Sequence, residues 1–73
     1  MNVADRAKAI LEKTGRKQKW VADQMAALAP TLEMTPSKLS QTLTGKRTMT
    51  ADELVVFCKV TGADLAAFLA ESA

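Results

Sequence analysis

Apolar side chains recur at helical spacing in two segments of the first half of the chain. The first segment, 3–14, carries apolar residues three and four apart and is followed by Gly15, a residue that commonly ends helices. The second segment, 18–28, has one apolar side and stops before Pro30, because proline disfavours helix in the residue that precedes it. The residues at helical spacing in the first segment are Val3, Ala7, Ile10, Leu11 and Thr14, and the predicted inward face of the second is Val21, Ala22, Met25 and Leu28.

A third helix is marked by capping residues at its start. Thr35 can accept a hydrogen bond from a free backbone amide, and Pro36 suits the first helical position. Met34, just outside the helix, can pack against Leu39 as a hydrophobic staple. Gly45 provides the stop.

The side of this helix, 35–44, that lies opposite its apolar stripe is polar and carries no carboxylate. With Leu39 and Leu43 buried, a turn of 100° per residue directs a set of hydrogen-bonding side chains outward. These are Ser37, Lys38, Gln41 and Thr44. Such a face suits the major groove of DNA, although an ordinary solvated helix surface has a similar composition.

Two later segments also begin with capping residues. Thr50 and Glu53 have the spacing of a capping box, which predicts a fourth helix ending at Gly62. Asp64 can cap a short fifth helix. The predicted inward residues are Leu54, Phe57, Cys58 and Thr61, followed by Leu65, Phe68 and Leu69. Since no segment has the alternating pattern of a strand, we expect one all-α domain of five helices over residues 1–73.

The composition argues against several classes of protein. The 73 residues include no histidine and one cysteine, so the commonest general acid or base is missing and no internal disulfide can form. We therefore expect no enzyme activity, no cofactor and no metal site. No apolar run approaches the roughly 18–20 residues that span a bilayer, and no signal peptide begins the chain, so we expect a soluble cytoplasmic protein.

The net charge of +2 is small, but the charges are unevenly distributed. Arg16, Lys17 and Lys19 form one basic cluster at the start of the second helix, and Lys46 and Arg47 form another directly after the third. The second cluster lies where a phosphate would flank a helix inserted into DNA. Two solvated basic patches would give the same pattern, so charge alone does not identify a partner.

The order of these features is more specific than any one of them. A glutamine opens helix two and is followed by an apolar-alanine pair, and the capped third helix ends in glycine and basic residues. The residues are Gln18, Val21-Ala22, Thr35, Leu39 and Gly45-Lys46-Arg47, with Leu54, Phe57-Cys58 and Gly62 on a later helix. In this order the chain resembles, over nearly its whole length, the Cro/C1-type (lambda repressor-like) family of phage and bacterial repressors.

The resemblance implies a five-helix DNA-binding domain of the helix-turn-helix kind and a palindromic double-stranded operator bound by a homodimer. It assigns the base edges to Ser37, Lys38 and Gln41, and the phosphates to Gln18, Thr44, Lys46 and Arg47. Lys19, in the basic cluster beside Gln18, is a further candidate for phosphate binding. The expected function is transcription regulation by a phage-type or prophage-type repressor.

The chain departs from the family pattern between helices two and three. Family members usually join them by a tight turn that contains glycine, whereas Ala26 stands at that position and several extra residues precede helix three. The turn is therefore predicted to be lengthened. Because Leu32 and Met34 are apolar, we expect segment 29–34 to pack against the domain.

Val56 and Val60 suggest where a second copy could bind. They lie four residues apart on helix four, on the side away from its predicted inward face, so a monomer is expected to expose both. A monomer would also contact only one half-site of a palindrome. We therefore predict a two-fold interface that includes these valines.

Other interpretations of the chain remain to be weighed. A helical protein-interaction module of the antitoxin or anti-repressor kind predicts an exposed apolar groove and no DNA binding. An acyl-carrier-like domain is disfavoured, because it needs a serine in an acidic context and Ser37 lies between Pro36 and Lys38. Trp20 is expected to cover helix one or the connection, and Cys58 to be a small buried hydrophobe.

Overall fold

The computed structural model describes residues 3–66 and 68. Within them the chain forms α1 (Val3–Thr14), α2 (Gln18–Leu28), a single 3-10 turn (Pro30–Leu32), α3 (Pro36–Leu43) and α4 (Ala51–Thr61). No strand occurs among the described residues, so the predicted all-α class is confirmed.

The predicted fifth helix is not confirmed as an element. The Asp64 carboxylate accepts a hydrogen bond from the Ala66 amide at 3.0 Å, and the Phe68 amide donates to the Asp64 carbonyl at 2.8 Å. One helical turn therefore begins at the predicted cap. Leu69 and the rest of that prediction lie outside the described residues.

Side-chain caps explain where α3 and α4 begin. The Thr35 hydroxyl accepts a hydrogen bond from the Lys38 amide at 3.1 Å. At α4, the Thr50 hydroxyl accepts from the Glu53 amide at 3.2 Å while the Glu53 carboxylate accepts from the Thr50 amide at 3.0 Å. Both predicted caps are thus confirmed, and each is worth about 1 kcal/mol.

A single cluster of buried side chains joins the four helices. α2 packs against α3, α4 and the 3-10 turn, while α1 packs against α3 and α4. Leu39 and Leu43 anchor α3 in this cluster, as predicted. The buried apolar residues are Ala7, Leu11, Val21, Ala22, Met25, Met34, Leu39, Leu43, Leu54, Phe57, Cys58 and Phe68.

Two predicted features of burial are wrong. Leu28, predicted to face inward, is 55% exposed, because it is the last residue of α2 and lies beyond the part that neighbouring helices cover. Val56 and Val60, predicted to be exposed, are partly buried against the core. Since α4 contacts both α1 and α2, its covered face is wider than the predicted stripe. The predicted interface at these valines therefore loses its main support.

Two features are absent from the described part of the chain. None of its helices has the length and apolar character needed to cross a membrane. Nor does it contain a group of three or more histidine, cysteine, aspartate or glutamate side chains that could hold a metal ion.

Candidate nucleic-acid interface

The outer side of α3 carries exposed, uncharged polar side chains. Leu39, Thr42 and Leu43 are buried on the opposite side, whereas Ser37 and Gln41 are exposed. Within the described residues, neither the Ser37 hydroxyl nor the side-chain amide of Gln41 hydrogen-bonds to another group of the protein. Both side chains remain available to an external partner.

Ser40 is exposed on the same side and was not among the predicted contacts. It lies three residues after Ser37 and four before Thr44, so helical spacing alone could have identified it. Its hydroxyl also makes no hydrogen bond within the described residues. Ser40 therefore joins two of the predicted residues, and we define the outer face of α3 as Ser37, Ser40 and Gln41.

Lys38 does not share this outer face. Its side chain is half-buried, and its ammonium donates to the carbonyls of Leu32 and Glu33 at 3.3 and 3.1 Å. The charged end of Lys38 therefore lies against the connection that precedes α3, and its base-reading role stays a prediction. Sequence spacing predicted the position of Lys38 on the helix, but it did not predict the direction of its long side chain.

The connection itself is packed, as predicted for segment 29–34. The Ala29 amide donates to the Met25 carbonyl at 2.9 Å and the Leu32 amide to the Ala29 carbonyl at 3.0 Å. Glu33 ends the 3-10 turn in a left-handed conformation with φ of 51°, and Met34 is buried in the core. Segment 29–34 is therefore a packed connection between α2 and α3.

Arg47 is also directed into the protein. One of its nitrogens, Nη1, donates to the Thr42 hydroxyl at 2.9 Å and to Glu53 Oε1 at 3.0 Å, while Nη2 donates to Glu53 Oε2 at 2.7 Å. The Arg47 side chain is 23% exposed and Glu53 is 3% exposed. Arg47 thus bridges the end of α3 and the start of α4, and its role as a phosphate ligand stays a prediction.

The charges of this pair are mutually stabilised. Burial by itself would raise the pKa of Glu53, but hydrogen bonds from Arg47 and the Thr50 amide, with attraction from Arg47 and Lys38, lower that pKa below its usual value. The hydrogen bond to Glu53 in turn raises the pKa of Arg47, against the opposing effect of burial. Both groups are therefore charged at neutral pH. The sequence analysis used Glu53 only as a cap and did not foresee this ion pair.

Lys46 and Thr44 lie at the C-terminal end of α3. Lys46 is exposed, its amide donates to the Gln41 carbonyl at 2.9 Å, and its ammonium has no partner among the described residues. The exposed Thr44 hydroxyl donates back to the Ser40 carbonyl at 3.0 Å and the Gln41 carbonyl at 3.2 Å. Lys46 is therefore the predicted phosphate ligand whose charge remains available after α3.

Gln18 and Lys19 lie at the start of α2. Gln18 is the exposed first residue of the helix, and Lys17, at the N-cap, gives no side-chain hydrogen bond to the free amides. Lys19 pairs with Asp23 at 2.9 Å, where both side chains are largely exposed. Exposed pairs of this kind are worth little, so an external phosphate can compete for Lys19.

The predicted phosphate ligands do not come together in one place. Gln18 borders a surface groove with Leu11 and Gly15, near the C-terminal end of α1. Loop 45–49 borders another groove with Val3, at the N-terminal end of the same helix. Gln18 and loop 45–49 therefore lie toward opposite ends of α1.

Trp20 is the main exposed aromatic residue at this end of α2. It is 40% exposed, and the Arg16 guanidinium lies over its ring, 4.4 Å from the centroid. Arg16, in the loop before α2, thus makes a cation–π contact with Trp20, and the expected cover over helix one or the connection stays a prediction.

Comparisons with protein-family models, curated proteins and solved structures gave no match to the chain. Function is therefore inferred from the placement and chemistry of its own residues.

Proposed function

We propose that the protein is a sequence-specific double-stranded DNA-binding domain that places α3 in the major groove and regulates transcription as a repressor. The outer face of α3 is the observation that carries this proposal. Its side chains can donate and accept hydrogen bonds, and none is charged. Residues 34–50 contain no aspartate or glutamate, so no carboxylate of this segment would repel the phosphates.

The dimensions of α3 suit this role. Its eight residues are about 12 Å long, and Leu39 and Leu43 hold its other side in the core. The outer side chains are thus presented by a helix that is fixed to the domain. Gln41 could pair with adenine through its amide, a contact worth about 1–3 kcal/mol of discrimination between bases.

The remaining cations suit the DNA backbone. Lys46 follows the helix directly, and the uncapped amides at Gln18 start a helix whose dipole favours an anion. The two sets lie toward opposite ends of α1. On this proposal each set meets the backbone on a different side of the groove.

The test is selection of bound duplexes from a random DNA pool, with the recovered sequences compared at two salt concentrations. We expect an enriched short motif, and a two-fold symmetric one if the protein binds as a dimer. Recovery of random sequence at both salt concentrations would contradict the proposal.

Three variants separate base contact from phosphate contact. Gln41→Ala should relax preference at one position of each half-site, at a loss of about 1–3 kcal/mol on the preferred site. Lys46→Ala should weaken all duplexes similarly and reduce the slope of log affinity against log salt by about one. Lys59→Ala, which removes the same charge from the exposed side of α4, is the control. It should change neither the base preference nor the dependence of affinity on salt.

A protein-interaction module is the second candidate, and one observation favours it. Trp20 and Leu28 are both exposed and lie eight residues apart on α2, hence on the same side of that helix. Leu28→Ser would disrupt a protein complex and leave DNA selection unchanged. If the parent enriches no DNA motif, this alternative becomes the stronger one.

A further inference from the structure

Lys38 links the connection to α3 through its charged end. Its ammonium lies 3.3 Å from the Leu32 carbonyl oxygen and 3.1 Å from that of Glu33, and the side chain is half-buried. A lysine ammonium has three donors, so both bonds can form at once. Hydrogen bonds from a charged donor are shorter and stronger than neutral ones.

The connection has a specific need for such a donor. The last carbonyls of a helical turn lack partners within the turn, and here the turn ends at Glu33. Glu33 has φ of 51°, a left-handed conformation that is sterically unfavourable for a residue other than glycine. The ammonium supplies the missing partner and favours this conformation over others that would move the Glu33 carbonyl away.

Lys38 is also fixed to α3 by its backbone. Its amide donates to the Thr35 hydroxyl at 3.1 Å, and its carbonyl accepts from the buried Thr42 hydroxyl at 3.0 Å. Thr42 in turn accepts a hydrogen bond from Arg47. A change in the connection would therefore reach both the start of α3 and the polar contacts near its end.

We propose that Lys38 is a positioning residue: by holding the connection 29–34 it sets the pose of α3, and base recognition falls to Ser37, Ser40 and Gln41. This inference rests on the proposed DNA-binding function. A lysine that reads a base would have to release both carbonyls on binding, and the test below distinguishes that behaviour.

The first test uses the free protein and measures hydrogen exchange of the Leu32 and Glu33 amides, which close the 3-10 turn. Lys38→Met keeps the length of the side chain and removes its donors, so exchange at these amides should quicken about tenfold or more. Lys38→Arg, which retains charged donors, should stay within about threefold of the parent. Lys46→Met is the matched control and should leave the exchange rates of the Leu32 and Glu33 amides unchanged.

Exchange in the middle of α1 serves as the internal reference. If Leu11 exchanges as in the parent while Leu32 and Glu33 quicken, the effect is local to the connection and is not general unfolding. Unchanged exchange at Leu32 and Glu33 in Lys38→Met would overturn the inference.

The second test repeats the selection of DNA sequences with Lys38→Met. A positioning residue predicts weaker binding to all duplexes with the same preferred sequence, and recovery of affinity in Lys38→Arg. A shift in base preference confined to one position, as expected for Gln41→Ala, would instead make Lys38 a base contact and overturn the inference. If the parent binds no duplex, the proposed function fails, and the exchange measurement still decides whether Lys38 holds the connection.

Discussion

Glu53 is the residue on which the polar contacts between α3 and α4 converge. Its carboxylate receives two hydrogen bonds from Arg47 and one from the Thr50 amide, and it is almost fully buried. A buried charge that loses its partner destabilises a protein strongly, so Arg47 is needed by the fold itself. This explains why the Arg47 guanidinium, unlike the Lys46 ammonium, is held inside the protein.

Glu53→Gln separates the ion pair from the helix cap. Glutamine can still accept the Thr50 amide, since it serves as well as glutamate in a capping box. We expect a loss of about 1.5–3 kcal/mol in the free energy of unfolding, the range for hydrogen bonds to charged groups. Thr50→Ala, which removes the cap and keeps the ion pair, should lose only about 1 kcal/mol. Urea unfolding of both variants measures the two terms, and an unchanged free energy of unfolding in Glu53→Gln would mean that the ion pair adds nothing.

The lowered pKa of Glu53 also predicts how stability depends on pH. A carboxyl group whose pKa is lower in the folded state stabilises the fold above its usual pKa, near 4.5, and loses that contribution as the pH falls through the folded value. The stability difference between the parent and Glu53→Gln should therefore be largest near neutral pH and shrink below about pH 4.5. Urea midpoints from pH 7 to pH 3 test this; a constant difference would contradict it.

At the scale of elements, the connection between α2 and α3 is the part that sequence patterns describe least. It combines a 3-10 turn, a left-handed residue and a lysine whose side chain reaches back over five and six residues. Each of these depends on tertiary packing that places Met34 in the core. Periodicity carries no information about such a segment.

Glu33→Gly should stabilise the protein through this connection. Glycine adopts φ of 51° without steric penalty, which relieves about 1–2 kcal/mol of strain but increases the freedom of the unfolded chain. We expect a net gain of about 0.5–1 kcal/mol, visible as a higher thermal midpoint. Glu33→Ala removes the same carboxylate and keeps the strain, so it should show no gain. Equal changes in the thermal midpoint of the two variants would mean that loss of the carboxylate, and not relief of backbone strain, causes the effect.

The four helices could be predicted from the sequence because their ends are encoded locally. Caps at Thr35 and Thr50 and glycines after α1, α3 and α4 need only neighbouring residues to act. The burial of Leu39 and Leu43 followed from spacing alone. Ser37 and Gln41 could be assigned to the outer face of α3 for the same reason, since the face opposite a buried stripe is fixed by helical geometry.

The failures concern contacts that join separate elements. The Arg47–Glu53 pair and the Lys38 bonds depend on where long, flexible side chains find partners in three dimensions. Val56 and Val60 depend on how many helices cover α4, which the pattern of α4 itself does not contain. The positions of Lys38 and Arg47 in the sequence therefore did not predict where their charged ends point.

At the scale of the whole molecule, one core joins all four helices, so they should unfold together. A domain of 73 residues buries only about 60% of its unfolded surface and is marginal in stability. Helices this short are not stable alone in water. The loss of one contact in the core should therefore lower the free energy of unfolding of all four helices together.

Cys58 offers a direct measure of this cooperativity. The thiol is 4% exposed, and burial, with the nearby negative charge of Asp64, raises its pKa. A thiol reagent should label it about a thousandfold or more slowly in the folded protein than in urea, because labelling needs the unfolded state. Glu53→Gln should label faster in proportion to its loss of stability. Rapid labelling of the folded parent would show that this part of the core opens separately.

The outer face of α3 has a consequence for how the protein could change. Within the described residues, the side chains of Ser37, Ser40 and Gln41 hold nothing else in place, whereas Lys38, Thr42 and Arg47 are committed to the interior. The three outer positions can therefore be randomised together with little effect on folding. On the proposed function, a library built this way would yield domains of the same architecture with new target sequences. Related proteins could then keep the same fold while substitutions on α3 alone change the DNA sequence that each one binds.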